Sequence, residues 1–268
     1  MLLSDLVAPF VRHRALLGVL ARRELANRYR TSFLGNLWMV VTPLLMLGMY
    51  TFVFGVIFKS RWHGMGHQGV AGYAIVLFSG LLLHTLLADT VGRAPGLMME
   101  EPNYVTKVVF PLELLGWVGM ATALVHFAVG LGLLLSVMAF IMPPLHWTVL
   151  WIPIIVMPYT LYLMGLGWML SAFGVYLRDL AQFMNTLVSM LLFLSPVFYQ
   201  RAKAPGHMGK WLVINPLTVP VEQVRRALFD GQAPELGTML LYAAGGLCVY
   251  LVGFWVFQKL RRGFSDVM

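Results

Sequence analysis

Charge is what this sequence has least of. Asp, Glu, Lys and Arg together make up 11% of 268 residues, against roughly 25% in an ordinary soluble domain. Too few charges remain to cover a water-facing surface, which excludes a soluble enzyme. The single cysteine, Cys248, excludes an internal disulfide framework and every cysteine-rich metal site. Gly-x-x-x-x-Gly-Lys-Ser/Thr is absent, so the chain has no P-loop with which to hold a nucleotide. No triad, carboxylate pair or metal-ligand cluster is legible either, so no residue is expected to be catalytic or to bind a metal. What fills the chain instead is apolar: 59% of residues are hydrophobic and the mean hydropathy is +0.78. That is the composition of an all-α polytopic membrane protein.

A helix needs about 20 mostly apolar residues to cross a hydrocarbon core of roughly 30 Å. Charge-free windows run over Thr31–Phe58, Trp62–Ala88, Leu114–Leu177, Leu180–Gln200 and Leu236–Gln258. The third is long enough for two spans and is broken by Met142-Pro143-Pro144. Six transmembrane helices are therefore expected, at about 33–58, 69–90, 112–141, 148–176, 180–200 and 236–258, within one domain covering 1–268. The net charge of +8 sits mainly in the flanks: Arg12, Arg14, Arg22, Arg23, Arg28 and Arg30 before the first span, and Lys259, Arg261 and Arg262 after the last. Such flanks point inward in a membrane protein, so both termini are expected to be cytoplasmic and nucleic acid is not the partner. No cleavable signal peptide and no appended ATPase are legible.

Several segments carry two readings each. Leu17, Ala21, Leu25 and Tyr29 recur at four-residue spacing opposite Arg22, Arg23, Asn27 and Arg30, which predicts an interfacial amphipathic helix over 11–31. It either only sets orientation or also rests on a cytoplasmic partner. In the first span Tyr50, Phe54 and Phe58 repeat at i, i+4 and i+8, and the fourth carries Tyr159, Tyr162, Met169, Phe173 and Tyr176. These are membrane anchors or packing residues, or they line a pathway for sugars, whose apolar faces stack on rings. The loop 93–110 holds Met98, Met99, Glu100, Glu101, Asn103, Tyr104 and Lys107, as a docking surface or as a plain solvated loop. The loop 201–235 contains the run Val221–Phe229, read as short interfacial helices or a re-entrant hairpin before the last span, or as an ordinary folded loop. Asp89 is expected to pair with Arg93 four residues on, and His84 to be a neutral, hydrogen-bonded residue.

Ordered motifs across nearly the whole chain resemble one family. Arg28-Tyr29-Arg30-Thr31-Ser32-Phe33-Leu34-Gly35-Asn36-Leu37-Trp38, Val109-Phe110-Pro111-Leu112-Glu113-Leu114, Tyr176-Leu177-Arg178-Asp179-Leu180, Leu194-Ser195-Pro196-Val197-Phe198-Tyr199 and Asn215-Pro216-Leu217-Thr218 are similar to stretches of the permease subunits of type 2 ABC exporters. Those permeases move O-antigen, capsular polysaccharide or teichoic acid. The resemblance implies a homodimer in the bacterial inner membrane with two copies of a separate P-loop ATPase, which would bind the ATP and Mg. It implies that the N-terminal helix, with Arg22, Arg23 and Arg28, and the loop Met98–Lys107 contact that ATPase. It also implies a channel at the dimer interface for a lipid-linked polysaccharide, with Trp38, Tyr50, Phe54, Phe58, Tyr159, Tyr162, Phe198 and Tyr199 as candidate lining residues. Further periplasmic or outer-membrane components would complete the route. His84 stands where the family often has an aromatic residue, so the lining beside it is not carried over. The rival expectations are a type 2 ABC permease for a drug or lipid, and an autonomous secondary carrier. The carrier would show internal repeats or buried midplane charges, and neither is visible.

Overall fold

The computed structural model describes residues 13–30, 32–57, 69–102, 104, 110–141, 145–201 and 208–267. The expected helix 11–31 is seen as α1, Arg14–Tyr29. Leu17, Ala21, Leu25 and Tyr29 are half-buried, whereas Arg22, Arg23, Asn27 and Arg30 are exposed. Helix α2, Trp38–Tyr50, continues as a π-helical stretch over Thr51–Ile57. Helix α3, Gly69–Leu87, runs through a π turn at Ala88–Gly92 and a 3-10 turn at Ala94–Gly96 into α4, Leu97–Glu100. The irregular turns have a cause: Pro95 has no N–H to give the preceding turn, and its ring crowds the carbonyl four residues back.

Helices α5, Glu113–Ile141, and α6, Ile152–Tyr176, follow. Then come α7, Leu180–Leu194, α8, Met208–Trp211, α9, Thr218–Phe229, α10, Leu236–Leu260, and α11, Phe264–Val267. Among the described residues, five helical segments are long and apolar enough to cross a membrane: Gly35–Ile57, Gly72–Glu100, Glu113–Ile141, Trp147–Tyr176 and Leu236–Gly263. The apolar helix α7 is shorter than the 180–200 expected from the sequence. Ser195 is extended, with φ −104° and ψ 155°, because the residue before a proline is pushed out of the helical region. At 15 residues, α7 is about 22 Å long.

Small residues set the closest approaches. Helices α6 and α10 form the most extensive helix pair, with Gly165 of one against the backbone of Gly253 in the other, and Gly246 against the Pro158 carbonyl. Gly174 lies on the Pro95 carbonyl, joining the 3-10 turn that follows α3 to α6. Beside these contacts Trp168 is buried against Tyr250 and Phe254, at ring distances of 5.1 and 4.9 Å, and donates from Nε1 to the Glu113 carbonyl at 3.1 Å. Glu113 in turn holds Arg261 at 2.8 Å, tying the start of α5 to the end of α10. In the most apolar stretch of Gly72–Glu100, at the centre of the bundle, 72% of residues are buried, against 6% in that of Gly35–Ile57, which leans on the outside.

Helix α9 departs from the surface position that its charges suggest. Thr218, Val219, Val221, Val224, Ala227 and Leu228 are buried, and so are Gln223 and Arg225. It packs against α3 and α6. Burial of Arg225 is met by carbonyls left open at the break after α7. Its guanidinium donates to Pro196 O at 2.5 Å, Val197 O at 2.7 Å and, across to α3, Val76 O at 3.2 Å. Gly80 makes the room, since a Cβ there would stand 2.9 Å from Nη2 of Arg225. Burial draws the guanidinium down to about 9, so it is a cation at neutral pH. Burial also lifts the Glu222 carboxyl above its ordinary range, against the pull of Arg201 at 3.0 Å and of Arg225. Asn215 completes the junction by donating to Ser195 Oγ at 2.8 Å.

Candidate functional site

Two constellations stand at opposite ends of the bundle. The first joins α1 to the C-terminal end of α3. Arg93 Nη2 meets Glu24 Oε1 at 3.1 Å and Glu100 Oε2 at 3.6 Å. One turn along α1, Arg28 Nη2 meets Asp89 Oδ1 at 3.0 Å, and Asp89 Oδ2 lies 3.1 Å from His126 Nδ1 on α5. Tyr29 OH stands 3.2 Å from His126 Nε2, and Arg28 Nη1 stands 3.3 Å from Nδ1. The expected Asp89–Arg93 ion pair is not made. The π turn at Ala88–Gly92 widens the helix between the two residues, so each finds a partner on α1 instead. His84 hydrogen-bonds the Val188 carbonyl at 2.9 Å.

The docking candidates divide. Met98 is fully buried, because α4 packs on α6 and α5, which takes it out of the expected docking surface. Met99 is exposed, as are Glu100, Arg22 and Arg23, and Glu101 is half-buried. Tyr104 rests on Phe110 at 4.6 Å between ring centres. Arg28 is committed to Asp89. Asn103 and Lys107 lie outside the described residues. A cleft of about 90 Å³ opens between Leu20, Glu24, Arg93, Leu97, Glu100 and Tyr104.

The second constellation is aromatic. Phe54 stacks on Phe198 at 5.3 Å, and Phe193 also stacks on Phe198, at 5.4 Å. Tyr50 joins Phe54 at 6.1 Å and Phe198 at 6.3 Å. Tyr73 joins at 6.2 Å from Phe54 and donates from its hydroxyl to Phe198 O at 3.1 Å. Tyr50, Phe54 and Phe198 are thus brought together as a wall, with Tyr199 half-buried next in sequence. Phe193 and Tyr73 were not legible as members, because no sequence period links α7 and α3 to α2. Three candidates go elsewhere and one lies outside the described residues. Tyr159 is fully buried and donates to Leu83 O at 3.0 Å, so it packs the core and presents no face to a lumen. Tyr162 stacks on Tyr242 of α10 at 6.0 Å. Trp38 is at the far end of α2 and donates to Ser32 Oγ at 2.5 Å. Phe58 lies outside the described residues.

Long apolar helices, with an ion-paired helix alongside them, define a multi-pass membrane protein. Residues 15–229 match the ABC-2 type transporter family, and the chain belongs to that family. It is also similar, end to end, to curated permeases. One is an O-antigen export system permease protein, RfbA, of Myxococcus xanthus, 26% identical over 264 residues, covering 97% of this chain and 98% of that protein. Two proteins of the same description from Klebsiella pneumoniae are 23% and 24% identical, each covering 94% of this chain and 95% of the relative.

Proposed function

We propose that this chain is the membrane-spanning subunit of an ATP-driven exporter that moves a lipid-linked surface polysaccharide across the inner membrane. What carries the reading is the end-to-end likeness to permeases described as O-antigen export proteins. In this reading α7 is the sixth span, both termini face the cytoplasm, and two copies enclose a channel. Two copies of a separate P-loop ATPase supply ATP hydrolysis with Mg.

The geometry fits such a division of labour. Met99, Glu100 and Tyr104, with Arg22 and Arg23 on α1, form the docking surface. Glu100 and Glu24 share Arg93, so a push on the α4 turn is felt by α1 as well. These pairs are partly exposed, and exposed pairs are worth only about 0–1 kcal/mol each. The junction can therefore be remade during a cycle without unfolding the bundle. At the opposite end the stacked wall of Tyr50, Phe54 and Phe198 offers flat apolar faces to the sugars of a passing chain.

Co-purification from native membranes tests the reading. A stoichiometric P-loop ATPase is expected, and it is lost when residues 98–107 are replaced. Glu100→Ala combined with Glu101→Ala is expected to lower glycan export by about tenfold or more, equivalent to some 1.4 kcal/mol of coupling, with membrane insertion unchanged. Unaltered export in that variant removes the α4 turn from the mechanism. Phe54→Ala is expected to slow export of labelled glycan several-fold while the assembled protein is recovered in normal yield. A loss confined to yield would assign the wall to packing. A permease for a drug or lipid would keep the ATPase and fail to export the glycan.

A further inference from the structure

The motif Val109–Leu114 contains a carboxylate that export, as described above, does not use. Glu113 is 7% exposed, and its Oε2 meets Nη1 of Arg261, in the turn after α10, at 2.8 Å. We propose that this turn, Arg261–Phe264, is a coupling clasp: it holds the downstream end of the docking loop, so that displacement of the loop is delivered to α6 and α10.

Four contacts build the clasp around that ion pair. Trp168 Nε1 of α6 donates to the Glu113 carbonyl at 3.1 Å. Gly116, one turn along α5, leaves room for the indole, since a Cβ there would stand 2.9 Å from Nε1. Tyr176 OH, at the end of α6, donates to the Leu260 carbonyl at 2.9 Å, and so satisfies one of the last carbonyls of α10, which a helix leaves open. Gly263 makes way for that hydroxyl, since a Cβ on it would stand 2.6 Å from the oxygen. Phe264 is buried against Tyr176 and Phe257, at ring distances of 6.1 and 5.8 Å, and this packing sets the turn from which Arg261 reaches back to Glu113.

The loop is therefore held at both ends by the same helix. Upstream, Gly174 of α6 lies on the Pro95 carbonyl. Downstream, Trp168 and Tyr176 of α6 fix Glu113 and the turn that carries its partner. Helix α6 is itself locked to α10 where Gly165 meets Gly253. The first turn of α5 is tied to the loop by Leu114 N to Pro111 O at 2.9 Å and Leu115 N to Leu112 O at 3.1 Å, and helix ends fray. The buried pair opposes fraying, because separating it strands a carboxylate away from water. The inference rests on the reading of 93–110 as the ATPase-docking loop.

Two measurements test the clasp: amide hydrogen exchange of the purified full chain, and export per ATP hydrolysed by the reconstituted complex. In Arg261→Gln, peptides covering 110–117 are expected to exchange at least about tenfold faster than in the parent. Export per ATP is expected to fall at least about fivefold. Arg261→Lys keeps a cation within reach of Glu113 and is expected to restore most of both. Arg262→Gln, at the exposed neighbour, is expected to change neither. If Arg261→Gln is not recovered, Tyr176→Phe serves, since it removes the hydroxyl bound to Leu260 without stranding a charge, and it is expected to shift both readouts the same way. Faster exchange with unchanged export per ATP would make the clasp a structural tie and overturns the proposal. So does parent-like exchange at 110–117 in the variant recovered. A parent that holds no ATPase, or exports no glycan, overturns the exporter reading instead, and the exchange measurement then decides by itself whether the turn holds the loop.

Discussion

Arg225→Ala is expected to be the most destabilising single substitution at the α9 end of the bundle. The side chain is buried, and it donates to carbonyls of Pro196, Val197 and Val76 that belong to two other segments. Hydrogen bonds from a charged donor are worth about 1.5–3 kcal/mol each, and a carbonyl left buried without a donor carries its own desolvation cost. Part of the gain is offset by the cost of burying the cation, so a net loss of at least about 3 kcal/mol is expected. Arg225→Lys should fall between, because a single ammonium is a point charge and does not span carbonyls as a planar fork does. Thermal unfolding in detergent measures the effect, with Arg226→Ala as the neighbouring control at about 1 kcal/mol or less. An Arg225→Ala protein as stable as that control would show that the three carbonyls are satisfied in some other way.

Gly253→Leu is expected to separate α6 from α10 and to prevent recovery of a monodisperse protein. A Cβ on Gly253 would strike the backbone of Gly165, and backbone cannot rotate away as a side-chain tip can. Overpacking of this kind costs about 1–3 kcal/mol for an added methyl group and more for larger groups. Gly253→Ala should therefore fold with lowered stability, and the leucine should not assemble. Gly245 gives the contrast on the same helix. Nothing lies within 4 Å of its added Cβ, so Gly245→Ala is expected to be neutral or mildly stabilising through helix propensity. Size-exclusion profiles and melting curves of the three variants decide it. Equal behaviour of Gly245→Ala and Gly253→Ala would mean that the helices pack less closely than described.

The spans were legible because hydrocarbon length and absence of charge are properties of a continuous stretch, and four of the five windows hold the five long apolar helices. The face of α1 was legible for the same kind of reason, a local period. Arg225 was not. In sequence, Glu222, Arg225 and Arg226 look like the wet side of a surface helix, and only the carbonyls opened by Pro196 explain why one of them is buried. Asp89 shows the limit from another side: its partners are 61 and 37 residues away, while the nearby Arg93 is turned aside by a π turn that no periodicity announces. The aromatic wall was half legible. Tyr50 and Phe54 follow a helical spacing, but Phe193 and Phe198 are set face to face by the Ser195-Pro196 bend. Tyr159, with the same composition and spacing as a lining residue, is a core residue because its hydroxyl finds Leu83 O.

The uneven burial of the spans has a mechanical consequence. The frame of α3, α6 and α10 is locked by backbone contacts at Gly165, Gly174 and Gly246, so it resists deformation as a unit. The segment Gly35–Ile57 buries 6% of its most apolar stretch against its own chain, and whatever covers the rest is lipid or another copy. Displacing it would separate side chains packed on α3 and α5, whereas bending the frame would break backbone-to-backbone contacts. Tyr50 and Phe54 lie on that segment, and Phe198, whose carbonyl accepts from Tyr73 of α3, stacks on Phe54, so the rings join the segment to the frame.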